Sequence, residues 1–208
     1  MSKVLLLNGS PHNDGCTAAA LGEMIAVFKE EGIETELIHV GGGQVSGCIS
    51  CGYCGKNGKC AFGGGVNEAA KSFEEADGLV IGSPVYYSSP NGTLISFLDR
   101  LFYSTPFSKQ MKVGASVVSC RRGGNSSTFD VLNKYFTISG MPVASGTYWN
   151  SVHGFTKEDA KKDLEGMQTM RNLARNMSFL IKAIAEAKEK YGLPAVEREA
   201  FTCFMDGK

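Results

Sequence analysis

The chain has 208 residues, 43% of them hydrophobic, with 21 basic and 21 acidic side chains balanced to zero net charge. That length builds one sizeable core more readily than two, and the charge balance leaves no basic footprint for nucleic acid or an anionic membrane surface. The amino-terminal apolar run is too short for a signal peptide and no segment approaches a membrane span, so a cytoplasmic protein with reduced thiols is expected.

In chain order, residues 4–8 read as a buried strand, 17–31 as a helix stopped by Gly32, and 35–40 as a second strand. A cysteine-rich excursion at about 41–65 follows, with glycine runs at 41–43 and 63–65. Then come a helix over 67–76, a strand over 78–83, a helix over 92–103 and a strand over 113–119. A loop and helix fill 123–140, a fifth strand is expected at 143–147, and one long amphipathic helix over 156–191 closes the pattern before a short tail. Apolar strands alternating with helices predict a single α/β domain built on a doubly wound, five-stranded parallel sheet, buried on both faces.

In such a sheet the strand-to-helix loops gather at the carboxyl edge, and ligands bind where the strand order reverses. Three loops there have unusual composition. NGSPHNDGCT at 8–17 matches neither common nucleotide-binding glycine pattern. It offers Ser10, Asn13, Cys16 and Thr17 ahead of a helix N-terminus, a nest able to hold a phosphate without a cation, and His12 lies within it. The competing reading is a plain Asx/Ser turn capping a helix. GSPVYYSSPNG at 82–92 sets Tyr86 and Tyr87 between Pro84 and Pro90, where a planar ring could stack. SCRRGGNSS at 119–127 adds Arg121, with Gly123 and Gly124 allowing close backbone approach. Each is weak alone; on one edge they suit a flat aromatic cofactor with a single phosphate.

LNGSPHNDGCT, the run EADGLVIGSPVYYSSPNGTLISFLDR and the cysteine segment together resemble the flavodoxin-fold NAD(P)H-dependent FMN reductase family, and within it the iron–sulfur flavoprotein branch. The resemblance covers residues 3–150 and implies the strand order 2-1-3-4-5. It implies FMN, with Ser10, Asn13 and Thr17 at the phosphate. Pro84, Val85, Tyr86 and Tyr87 would lie along the ring with Asn91 nearby, and Ser119, Arg121, Gly123 and Gly124 over its pyrimidine side. It also implies NADH or NADPH as donor, a flavin, quinone or similar small acceptor, and a homodimer or homotetramer.

Cys48, Cys51, Cys54 and Cys60 follow the spacing C-x2-C-x2-C-x5-C. The first three repeat at the ferredoxin interval, so a [4Fe-4S] cluster is the leading ligand, and a ferredoxin-like protein becomes an alternative electron partner. The fourth spacing departs from that pattern; zinc beside a vestigial flavin site, a redox disulfide, or free thiols in a loop retained from a cluster-binding relative stay open. The segment leaves strand two at the carboxyl edge, which predicts a cluster beside the flavin. Cys120 and Cys203 read as small core or tail residues, His39 as the end of a strand, and His153 as part of a surface loop.

Overall fold

The structure is a computed structural model and describes residues 2–200 and 202, so Cys203 lies outside the described residues. Its strands are β1 (Lys3–Asn8), β2 (Glu34–His39), β3 (Gly78–Tyr86), β4 (Ser89–Pro90), β5 (Val113–Cys120) and β6 (Ser151–His153). Its helices are α1 (Cys16–Glu30), α2 (Tyr53–Asn57), α3 (Val66–Glu75), α4 (Gly92–Ser104), α5 (Asn125–Thr137), α6 (Lys157–Lys162) and α7 (Leu164–Tyr191). Five strands pair in parallel in the order β2-β1-β3-β5-β6, which is 2-1-3-4-5 when only the parallel strands are counted.

Val4 to Leu7 in β1 and Leu79 to Ile81 in β3 are completely buried, as strands covered on both faces must be. One core layer packs α1 and α7 on the sheet through Leu21, Met24, Phe28, Met170, Leu173 and Met177. The other packs α3, α4 and α5 through Phe73, Leu94, Phe97, Leu101, Leu132 and Phe136. Among the described residues no helix is long and apolar enough to cross a membrane.

Two expected elements are corrected. The run at 143–147 makes only an isolated bridge between Val143 and Gly114, and the fifth parallel strand is Ser151–His153. Buried Asn150 explains the displacement: its side chain donates to Ser116 O at 3.1 Å and accepts from Gly146 N at 3.2 Å. That folds residues 146–150 into a loop and passes the ladder to the residues after it. The helix expected over 156–191 is broken at Asp163. Thr156 and Asp159 form a capping box for α6, and Asp163 accepts from Gly166 N at 2.9 Å to start α7 afresh.

β3 also runs past the expected end and turns back into β4. Tyr87 and Ser88 both take positive φ, 51° and 59°, as a two-residue turn with primed geometry requires. At the end of that hairpin Asn91 caps α4 through Thr93 N at 3.1 Å, and its Nδ2 donates to Gly9 O at 2.7 Å. Asn91→Ala removes the cap, about 1 kcal/mol, and leaves a buried carbonyl unpaired at about 1–3 kcal/mol more. A loss of about 2–3 kcal/mol in urea unfolding is the expected result; stability within 0.5 kcal/mol of the parent, about the scatter of neutral surface changes, would contradict this role.

Candidate flavin cleft and thiol cavity

The loop after β1 is built by local bonding. Asn8 Oδ1 accepts from Ser10 N at 3.0 Å and Ser10 Oγ accepts from His12 N at 3.1 Å, the Asx/Ser turn weighed above. Gly9 N donates to Gly82 O, and His39 Nε2 lies 2.7 Å from Ser10 O. His39 therefore ends β2 and also supports this loop, a role its position in sequence gave no signal for. Past the turn α1 begins at Cys16 with Gly15 as N-cap, no side-chain cap and no acidic residue in its first turn. Its leading N–H groups and positive dipole end are left for an anion.

That helix end opens on a cleft of about 340 Å³, within the ~300–1,000 Å³ range of small-ligand sites. Ser10, His12, Cys16 and Thr17 line one end, Pro84, Val85 and Tyr86 one wall, and Ser119 and Arg121 the side toward β5. The cleft lies over the carboxyl ends of β1, β3, β5 and β6, at the point where the order reverses between β1 and β3. Thr17 Oγ1 and Ser119 Oγ are 2.8 Å apart and hold the start of α1 to the end of β5 at the cleft.

Gly154, Phe155 and Cys120 also line the cleft and were not anticipated, because they follow from the displaced β6 and from the last residue of β5. Burial pushes the Cys16 and Cys120 thiols up, so both line the cleft as neutral groups. The other expected residues stand outside the wall. Asn13 is exposed in the turn, and Tyr87 projects fully into solvent from the hairpin tip. Asn91 is spent on α4 and Gly9. Gly123 precedes Gly124, the N-cap of α5 at φ 84°, where a Cβ would lie 2.7 Å from Ser88 Oγ. Gly124 thus lets α5 approach the hairpin, with Ser127 Oγ donating to Ser88 O at 2.8 Å.

Tyr86 is 44% exposed on the cleft wall. Tyr86→Ala should weaken FMN by about 1 kcal/mol or more, the value of a stacked aromatic contact. A fluorescence titration checks it, and unchanged affinity would remove Tyr86 from the site.

Cys48, Cys51, Cys54 and Cys60 all line a second, separate cavity, with Phe62, Arg100, Tyr103 and Ser104. All four are free thiols. Cys60 is fixed by Asn67, whose amide accepts from Cys60 N at 2.9 Å and donates to Cys60 O at 3.0 Å. Among the described residues no group of three or more His, Cys, Asp or Glu could hold a single metal ion. The segment leaves β2 at the carboxyl edge but then runs down α4, so the cavity sits against that helix's last turns. At 1.5 Å per residue its α4 lining, from Arg100 to Ser104, lies about 14–20 Å along the helix axis from the N-cap Asn91.

Fold and cleft define a flavodoxin-like protein with an open cleft at the strand-order reversal. Residues 2–156 match the family described as NADPH-dependent FMN reductase. An iron–sulfur flavoprotein of Methanocaldococcus jannaschii is 34% identical over 193 residues, covering 88% of this chain and 98% of the relative. RosB, solved with bound 8-demethyl-8-formylriboflavin-5′-phosphate, superposes with a TM-score of 0.72 at 16% identity over 98% of this chain and 97% of that one. A flavodoxin from the Archaea superposes at 0.58 and 15% identity over 88% and 99%. The chain belongs to the NADPH-dependent FMN reductase family, in the branch that includes the iron–sulfur flavoproteins, and its general function is that of a flavin oxidoreductase.

Proposed function

We propose that the protein binds FMN in the cleft between the loops at 8–17, 82–92 and 119–127, takes hydride from NADH or NADPH, and passes the electrons to a flavin, quinone or similar small acceptor. The observation that carries this reading is the cleft at the strand-order reversal, with the uncapped start of α1 at one end and the half-exposed Tyr86 ring on one wall. Bound FMN supplies hydride acceptance and electron release. The chain's part is placement: α1 N–H groups and the Ser10 and Thr17 hydroxyls receive the phosphate, while Val85 and Tyr86 flank the ring. Ser10 Oγ accepts from His12 N and keeps its own hydrogen to donate. Arg121 adds positive charge on the β5 side of the cleft, where the family resemblance puts the pyrimidine side of the ring.

A second reading is favoured by the convergence of four thiols on one cavity: an electron carrier holding a [4Fe-4S] cluster at Cys48, Cys51, Cys54 and Cys60 and exchanging electrons with a ferredoxin-like protein. The donor set suits iron and sulfide, since no carboxylate or imidazole shares the lining. A homodimer or homotetramer belongs to both readings through the family resemblance, and a cytoplasmic setting through the expected lack of a signal peptide or membrane span. Anaerobic protein mixed in turn with NADH, NADPH and reduced ferredoxin separates them by the bleaching of the flavin absorbance. Rapid bleaching by a pyridine nucleotide supports the first; bleaching by ferredoxin alone overturns it in favour of the second.

A further inference from the structure

α4 buries an arginine that, among the described residues, has no acid to pair with. Arg100 is 3% exposed and, among the described residues, forms no ion pair. Its guanidinium is spent on the thiol cavity instead. Nε donates to Cys60 Sγ at 3.3 Å, Nη1 to Ser46 O at 3.3 Å, and Nη2 to the carbonyls of Phe62 and Gly63. These contacts use four of its five N–H donors and, among the described residues, leave its charge uncompensated, which is costly at this depth.

One turn further along the same helix, Ser104 lines the same cavity. It is 6% exposed and its hydroxyl, fully buried, has no hydrogen-bond partner. A buried orphan hydroxyl is uncommon, because losing its partner costs free energy that other polar groups in a fold do not forfeit. An anionic, sulfur-rich group in the cavity answers both residues at once: it accepts the Ser104 O–H and balances the Arg100 charge. Hydrogen bonds and positive charge near such sulfurs favour the more negative, reduced state and raise the potential.

We propose that Arg100 and Ser104 are positioning residues for a sulfur-ligated iron centre, Arg100 clasping the segment around Cys60 and Ser104 donating to a sulfur, so that together they raise the centre's reduction potential. The inference rests on the reading that the four cysteines hold an iron–sulfur cluster. The test uses anaerobically purified full-length parent, Ser104→Ala, Arg100→Lys and Arg100→Gln, with iron, sulfide and FMN assayed on each and the midpoint potential followed by dithionite titration. Ser104→Ala should keep its iron, sulfide and FMN while its oxidised-to-reduced ratio at fixed potential rises about tenfold, a fall of about 59 mV for a one-electron couple. Arg100→Gln should lose iron to a chelator faster than the parent and Arg100→Lys should fall between them, since lysine restores the charge without the planar fork. If Arg100→Gln also loses FMN, its fold has been disturbed and Ser104→Ala decides the outcome. An unshifted potential in iron-loaded Ser104→Ala overturns this inference alone, whereas a parent free of iron and sulfide overturns the cluster reading and this inference with it.

Discussion

Gly41→Ala is expected to abolish FMN binding and to destabilise the fold by about 3 kcal/mol, the upper end of the usual cost of overpacking a tightly packed site. Gly41 is buried where the chain leaves β2, its N–H donating to Asn8 O at 3.2 Å. A Cβ there would lie 2.2 Å from Ser10 O and 2.4 Å from both C and O of Gly9. Those are backbone atoms with no rotamer to swing aside, and they are already fixed by Asn91, His39 and Gly82. Relief therefore comes only by moving the loop at 8–17 away from the start of α1, where the phosphate is proposed to sit. Gly43→Ala is the matched control, because a Cβ there meets nothing within 4 Å. Urea unfolding and flavin titration on both variants check the expectation. Parent-like FMN affinity in Gly41→Ala would mean that this loop does not shape the site.

Cys51→Ala is expected to strip most of the iron and sulfide while leaving FMN in place. Removing a ligand should cost more than the ~10–100-fold in metal affinity that follows from losing an outer-shell partner. Cys51 lines the thiol cavity and not the flavin cleft, so FMN content serves as an internal control for folding. Equal iron in variant and parent would remove the cluster assignment; joint loss of iron and FMN would mean that the segment supports the cleft.

Legibility in the sequence followed hydrophobic contrast. β1, β3 and β5 are apolar runs buried on both faces, and right-handed crossovers alone put their loops on one edge. β6 could not: SVH is three residues with one apolar side chain, and what sets it is Asn150 bonding Ser116 and Gly146 across the loop. Gly154 and Phe155 went unseen for the same reason. The break at Asp163 was readable, since Thr156, Asp159 and Asp163 are cap residues at cap spacing, but a continuous apolar stripe hid it. The hairpin at Tyr87 and Ser88 lacks the glycine or asparagine that usually marks such a turn. Among the site residues, the cleft wall from Ser10 to Thr17 and from Pro84 to Tyr86 was readable from loop composition. Spacing also grouped the four cysteines, but their place along α4 depends on tertiary packing against Arg100 and Ser104.

The distance along α4 between cleft and thiol cavity bears on how the protein behaves as a population. With FMN and a cluster bound as proposed, two sites that share no lining residue are expected to load independently, giving a mixture of up to four occupancy states. Each ligand that binds only the folded chain stabilises it by its own mass-action increment, and the increments from separated sites add. Thermal denaturation of an air-exposed sample should therefore respond to added FMN by the same amount whether or not iron has been lost, while its absolute midpoint drifts with iron content.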